Sequence, residues 1–144
     1  MLELSWYLML MEGMSNSAEE GGGKVLLIED NDEFRMLLGR LLSLEGFGVH
    51  AVETGDKAIE ALRHQHFDLI LTDLIVPGLE GIEIILTARG LAPETRIIAM
   101  SGGAMNGGHD YLPLAEKMGA AAVLQKPFDR AQLVETISRV MGAA

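Results

Sequence analysis

Five short apolar runs, separated by amphipathic stretches, are the strongest constraint on how this chain can fold. They are KVLLI at 24–28, residues 47–52, FDLILT at 67–72, RIIAM at 96–100 and AAVLQ at 121–125. An uninterrupted apolar run of this length suits a strand covered on both faces, as in a parallel sheet buried between helices. Between the first two runs, Phe34, Leu37, Leu38, Leu41 and Leu42 recur at three- and four-residue spacing. That spacing predicts a helix from Asp32 to Leu44, stopped by Gly46. Thr54 reads as the N-cap of a helix reaching about Arg63, with Ala58, Ile59 and Leu62 inward. Further helices are predicted over about 81–89, with Ile82, Ile85 and Leu86 as its apolar residues, and over about 110–118. A last helix follows Phe128 and buries Leu133, Val134, Ile137 and Val140. Asp68 is expected at the sheet edge or in a loop, and Pro77-Gly78 as a turn.

Strand and helix thus alternate five times. The expected fold class is α/β, a doubly wound (βα)5 parallel sheet with right-handed crossovers. Ligands of such sheets sit beyond the carboxyl ends of the strands. The first run ends in Glu29 and Asp30, the third in Asp73, the fourth in Ser101 and the fifth in Lys126. Three converging carboxylates repel one another unless a cation compensates them. Hard oxygen donors suit Mg²⁺, which keeps several of its waters. A backbone carbonyl at Ile75 could add a ligand. Lys126 supplies fixed positive charge and Ser101 a hydroxyl. Together these residues suit a phosphoryl group in transfer, with Asp73 as the nucleophile.

Composition narrows the alternatives. There is no cysteine, so thiolate chemistry, disulfides and cysteine metal sites are excluded. The formal charge of −10 disfavours nucleic acid and anionic membrane as partners. No stretch has the length of a transmembrane helix. His50, His64, His66 and His109 share no helical spacing and no strand end. Residues 1–23 read apart from the body: MLELSWYLMLM is apolar and SNSAEEGGG has linker composition. One reading is a flexible leader, or a start placed before the true one at Met14. The other is a segment that docks on the body or on a partner.

The segments VLLIEDN (25–31), DLILTDLIVPGLEG (68–81), IIAMSGG (97–103) and GAAAVLQKPF (119–128) resemble the receiver domains of two-component response regulators. The similarity covers about residues 24–142, and the receiver domain is placed at 24–144. The resemblance implies a flavodoxin-like sheet of order 2-1-3-4-5. It implies that Asp73 accepts a phosphoryl group from a phosphohistidine on a sensor histidine kinase or histidine phosphotransfer protein. Glu29, Asp30, Asp73 and the carbonyl of Ile75 would place Mg²⁺, with Mn²⁺ as a substitute. Ser101 and Lys126 would contact the phosphoryl oxygens, and the Lys126–Pro127 bond would be cis. A cytoplasmic protein is implied, with no nucleic-acid partner and no membrane insertion, acting on a downstream protein or relaying phosphate.

Three features depart from the common receiver pattern. Val123 stands where an aromatic switch residue is usual, loop 102–110 is glycine-rich, and the leader precedes Lys24. No output module is read after Met141. An adaptor that keeps only the fold remains an alternative. So does an Asp-nucleophile phosphohydrolase, although Ile75 stands where such enzymes carry their second acid. A nucleotide- or flavin-binding domain is disfavoured, because Glu29-Asp30-Asn31-Asp32 replaces a glycine fingerprint.

Overall fold

The computed structural model describes residues 4–11, 23–76, 79–102 and 112–142. In chain order the elements are α1 (Leu4–Met11), β1 (Lys24–Ile28), α2 (Asp32–Leu44), β2 (Gly48–Val52), α3 (Gly55–His64) and β3 (Leu69–Asp73). They continue with β4 (Ile75–Val76), β5 (Leu79–Glu80), α4 (Gly81–Leu91), β6 (Arg96–Ser101), α5 (Leu112–Met118), β7 (Ala122–Gln125) and α6 (Arg130–Val140). The five main strands form one parallel sheet of order β2-β1-β3-β6-β7. This is the 2-1-3-4-5 order expected. The register pairs Val25 with Leu69, Leu71 with Ile98 and Ala99 with Val123.

The runs of β1 and β3 are uninterrupted because both faces of the sheet are covered there, whereas the edge strand β2 is largely exposed. Along β1, Leu26 and Ile28 join one core with α3, α4 and α5, while Val25 and Leu27 join the other with α1, α2 and α6. Each fully buried Leu or Phe contributes roughly 1.5–3 kcal/mol through removal from water. Local signals close the helices. Asn31 caps α2 by accepting from the Phe34 amide, and Thr54 caps α3 by accepting from the Lys57 amide. Gly46, at φ 97°, takes the left-handed conformation that ends α2 and turns the chain into β2.

Several details differ from the sequence reading. The turn after Asp73 belongs to a small antiparallel ribbon, with Ile75 opposite Glu80; Pro77 and Gly78 themselves lie outside the described residues. Helix α4 turns Ile84, Ile85 and Ala88 to the core and leaves Leu86 half exposed. Ile84 and Ile85 each lie about one turn from Ala88 on one face, and Leu86 falls off that stripe. In α6, Leu133 and Ile137 are buried with Thr136, while Val134 and Val140 are only partly covered. Loop 102–110 lies outside the described residues beyond Gly102.

Residues 4–11 do not follow the flexible-leader reading. They form an α-helix that buries Trp6 and Leu10 in the α2–α6 core. An eight-residue helix is too short to persist alone in water, so its order comes from this docking. Sequence alone left the choice open because the segment is apolar on nearly every position and shows no single face.

Helix α6 starts immediately after the turn that carries Lys126. Asp129 and Gln132 form a reciprocal capping box there, with Asp129 Oδ1 accepting from the Gln132 amide at 2.7 Å and Gln132 Oε1 accepting from the Asp129 amide at 2.8 Å. Replacing Asp129 by Ala is expected to cost about 1 kcal/mol in urea unfolding. Asp129→Ser should recover most of that loss, because the short hydroxyl still caps.

Candidate phosphoryl-transfer site

The parallel sheet carries its strand ends to one edge, and there Lys126 joins two distant carboxylates. Its ammonium donates to Asp73 Oδ2 at 2.6 Å and to Glu29 Oε1 at 3.2 Å. All three groups are largely shielded: Glu29 is 2% exposed, Asp73 8%, and the Lys126 side chain 10%. The strands explain the convergence. β1 and β3 are neighbours in the sheet, so Glu29 follows one strand end beside Asp73 on the other. Lys126 reaches back from the end of β7, where its amide donates to the carbonyl of Ser101 at 2.8 Å. Ser101 is buried as the last residue of β6, next to β3. The Lys126–Pro127 peptide bond is cis, as the resemblance implied.

The remaining candidates flank this cluster. Asp30 is exposed, one residue beyond Glu29. Ile75 opens β4, two residues after Asp73, and only its backbone is described. Among the described residues, no three acidic or histidine side chains gather into a complete metal centre. That arrangement still fits Mg²⁺, which needs few protein oxygens because it retains water. Glu29 and Asp73 share one cation, and Asp30 stands exposed one residue beyond Glu29.

Four residues of the site escaped the sequence reading of its chemistry. Phe34 lies under the ammonium, with Lys126 Nζ 5.0 Å from its ring centroid. Asn31 donates its amide to Glu29 Oε2 at 3.1 Å and holds that carboxylate in place. Arg35 donates to the Glu29 carbonyl at 2.9 Å and pairs with Asp32 at 2.6 Å, so it anchors the same turn. Thr72 Oγ1 donates to the Asp73 carbonyl at 2.8 Å. Phe34 was visible as a helical core position, and nothing in its spacing marks a cation partner. Asn31 directly precedes the helix predicted from Asp32, which is the one signal that could have found it.

Charge and burial act in opposite directions here. Burial pushes the Glu29 carboxyl up to about 7, against the pull of Lys126 and with a further push from Asp73. Burial works to lower the Lys126 pKa, but the carboxylates of Asp73 and Glu29 outweigh it and hold the ammonium above its ordinary value. Glu29 therefore binds a proton more tightly in the folded chain than at its ordinary 4.5. Its contribution to stability is fully present below pH 4.5 and is lost as pH rises through about 7. Glu29→Gln is thus expected to match wild type near pH 5 in urea unfolding. At pH 8 it should be the more stable protein, by up to roughly 3 kcal/mol.

Comparison with known proteins agrees with this fold. The family model of the response regulator receiver domain matches residues 25–138. The response regulator receiver protein CpdR of Brucella abortus is 32% identical over 84% of this chain and 98% of its own length. Sporulation initiation phosphotransferase F of Bacillus subtilis is 26% identical over 82% of this chain and 93% of its own. A crystal structure of the receiver domain of the sensor histidine kinase PA1611 from Pseudomonas aeruginosa superposes with a TM-score of 0.75 and 29% identity. It covers 85% of this chain and 99% of that one, and a magnesium ion is coordinated in its active-site cleft. No helix among the described residues is long and apolar enough to cross a membrane. The chain belongs to the response regulator receiver domain family and acts in phosphorelay signalling.

Proposed function

We infer that Asp73 is the phosphoacceptor, taking its group from a phosphohistidine on a sensor histidine kinase or histidine phosphotransfer protein. The observation that carries this reading is the buried Lys126 ammonium 2.6 Å from the Asp73 carboxylate, at the edge where Glu29 and Ser101 also end their strands. A carboxylate oxygen of Asp73 attacks phosphorus, the phosphorus–nitrogen bond to the donor imidazole breaks, and its electron pair stays on that nitrogen. The product is an acyl phosphate. The phosphoryl group brings about −1.5 to −2 of charge where the carboxylate had one negative charge. Lys126 answers part of that charge from a fixed position, so little reorganisation is needed in the transition state. Ser101 offers a hydroxyl donor from the neighbouring strand end.

Glu29, Asp30, Asp73 and the Ile75 carbonyl are the groups that would hold Mg²⁺, with Mn²⁺ as a substitute. When bound, the ion neutralises charge on the phosphoryl oxygens and orients them for in-line transfer. Hard oxygen donors and the surplus of negative charge around one ammonium support this assignment. The location is cytoplasmic, where a kinase donor and a protein target would meet it. The phosphorylated domain acts by binding another protein or by passing the group onward.

Incubation of the full chain with Mg²⁺ and acetyl phosphate, followed by intact-mass measurement, tests the reading. One phosphoryl group should be gained, and Asp73→Ala should abolish the gain while remaining folded. A folded wild-type chain that gains no mass with Mg²⁺ present would overturn the assignment.

A further inference from the structure

Helix α1 reaches both turns that build the site. The indole N–H of Trp6 donates to the carbonyl of Phe128, two residues after Lys126. The Trp6 ring packs edge-on against Phe128 at 5.2 Å and tilted against Phe34 at 4.7 Å. The Tyr7 hydroxyl donates to Asn31 Oδ1 at 3.3 Å, and its ring stacks on Phe34 at 6.0 Å. Asn31 Oδ1 also accepts from the Phe34 amide, and the Asn31 amide donates to Glu29. One short helix therefore touches the Glu29–Asn31 turn, the Lys126–Phe128 turn, and the ring beneath the ammonium.

Simple apolar docking does not call for these polar contacts. Leu4, Leu8 and Met11 face solvent although they are as apolar as the docked residues. Two of the residues that do engage the body are aromatics with polar handles, and both handles point to the site turns. The Tyr7 pKa is raised, by burial first and then by the charges of Glu33 and Glu29.

We propose that Trp6 and Tyr7 are positioning residues of the phosphoryl-transfer site, bracing its two turns from outside the (βα)5 body. The proposal rests on the reading of Asp73 as phosphoacceptor. A brace of this kind is reciprocal: if the docked helix favours an occupied site, occupancy favours the docked helix by the same factor. Its catalytic effect comes through fixed geometry, since small displacements of positioned groups weaken transfer steeply.

Trp6 is the sole tryptophan, so its emission reports on the docked helix directly. The experiment follows that emission and the intact mass together as the full chain is labelled with Mg²⁺ and acetyl phosphate. Emission should change in step with labelling and stay flat under acetyl phosphate in Asp73→Asn. Tyr7→Phe and Trp6→Phe should each slow labelling about 5-fold or more, with urea midpoints close to wild type. Leu10→Ala, which removes buried apolar surface and no polar handle, should lower the midpoint more and the rate less. A fully labelled chain with unchanged Trp6 emission, or wild-type rates in both aromatic variants, overturns the brace and leaves the phosphoacceptor reading standing. If no protein is labelled, that reading fails, and Mg²⁺ alone decides the brace. Emission that responds to Mg²⁺ in wild type and not in Asp73→Asn supports it, and a flat titration overturns it.

Discussion

The ammonium of Lys126 is held between Asp73 at 2.6 Å and Glu29 at 3.2 Å, in a pocket that excludes most water. The rest of the structure is arranged to make that contact possible. Glu29 and Lys126 lie 97 residues apart in sequence, and only the parallel order β1-β3-β6-β7 brings their strand ends to one edge. Burying an ion pair costs desolvation that its Coulomb attraction repays incompletely, so a hydrophobic replacement is often as stable. Here two carboxylates share one cation, and burial, with a further push from Asp73, holds the Glu29 carboxyl above its ordinary range. Such a site is poised to take another cation and a phosphoryl group.

The two faces of the sheet are unequal around this contact. On the α1–α2–α6 side, Trp6, Tyr7, Phe34 and Phe128 cluster beside Lys126, with ring centroids 4.7–6.3 Å apart. On the other side, Val123 pairs with Ala99 and packs against an otherwise largely aliphatic core. Val123 has no ring whose rotation could report events at Asp73. The aromatic contacts that lead away from the site run instead through Phe34 and Phe128 to the first helix.

The five main strands, five of the helices and the polar strand ends were legible because they rest on short-range patterns, whereas the sheet order came only with the family resemblance. Continuous apolar runs mark strands covered on both faces, and the three- and four-residue spacing of Phe34, Leu38, Leu41 and Leu42 marks one helix face. Glu29, Asp73, Ser101 and Lys126 could be named because each follows such a run. The contacts that orient them were not legible. Phe34 shows the same spacing whether or not an ammonium lies over its ring. Leu86 and Ile84 are equally apolar, and the face that α4 turns to the core decides which is buried.

By itself, the sequence determined the alternation of strand and helix and the chemistry placed at the strand ends, since apolar periodicity and polar termini are local properties. Tertiary structure decided which of those groups touch, which are buried, and that residues 4–11 belong to the folded body. Those outcomes depend on distances between segments far apart in the chain. The burial that raises Glu29 and the groove that takes Trp6 exist only once both faces of the sheet are covered.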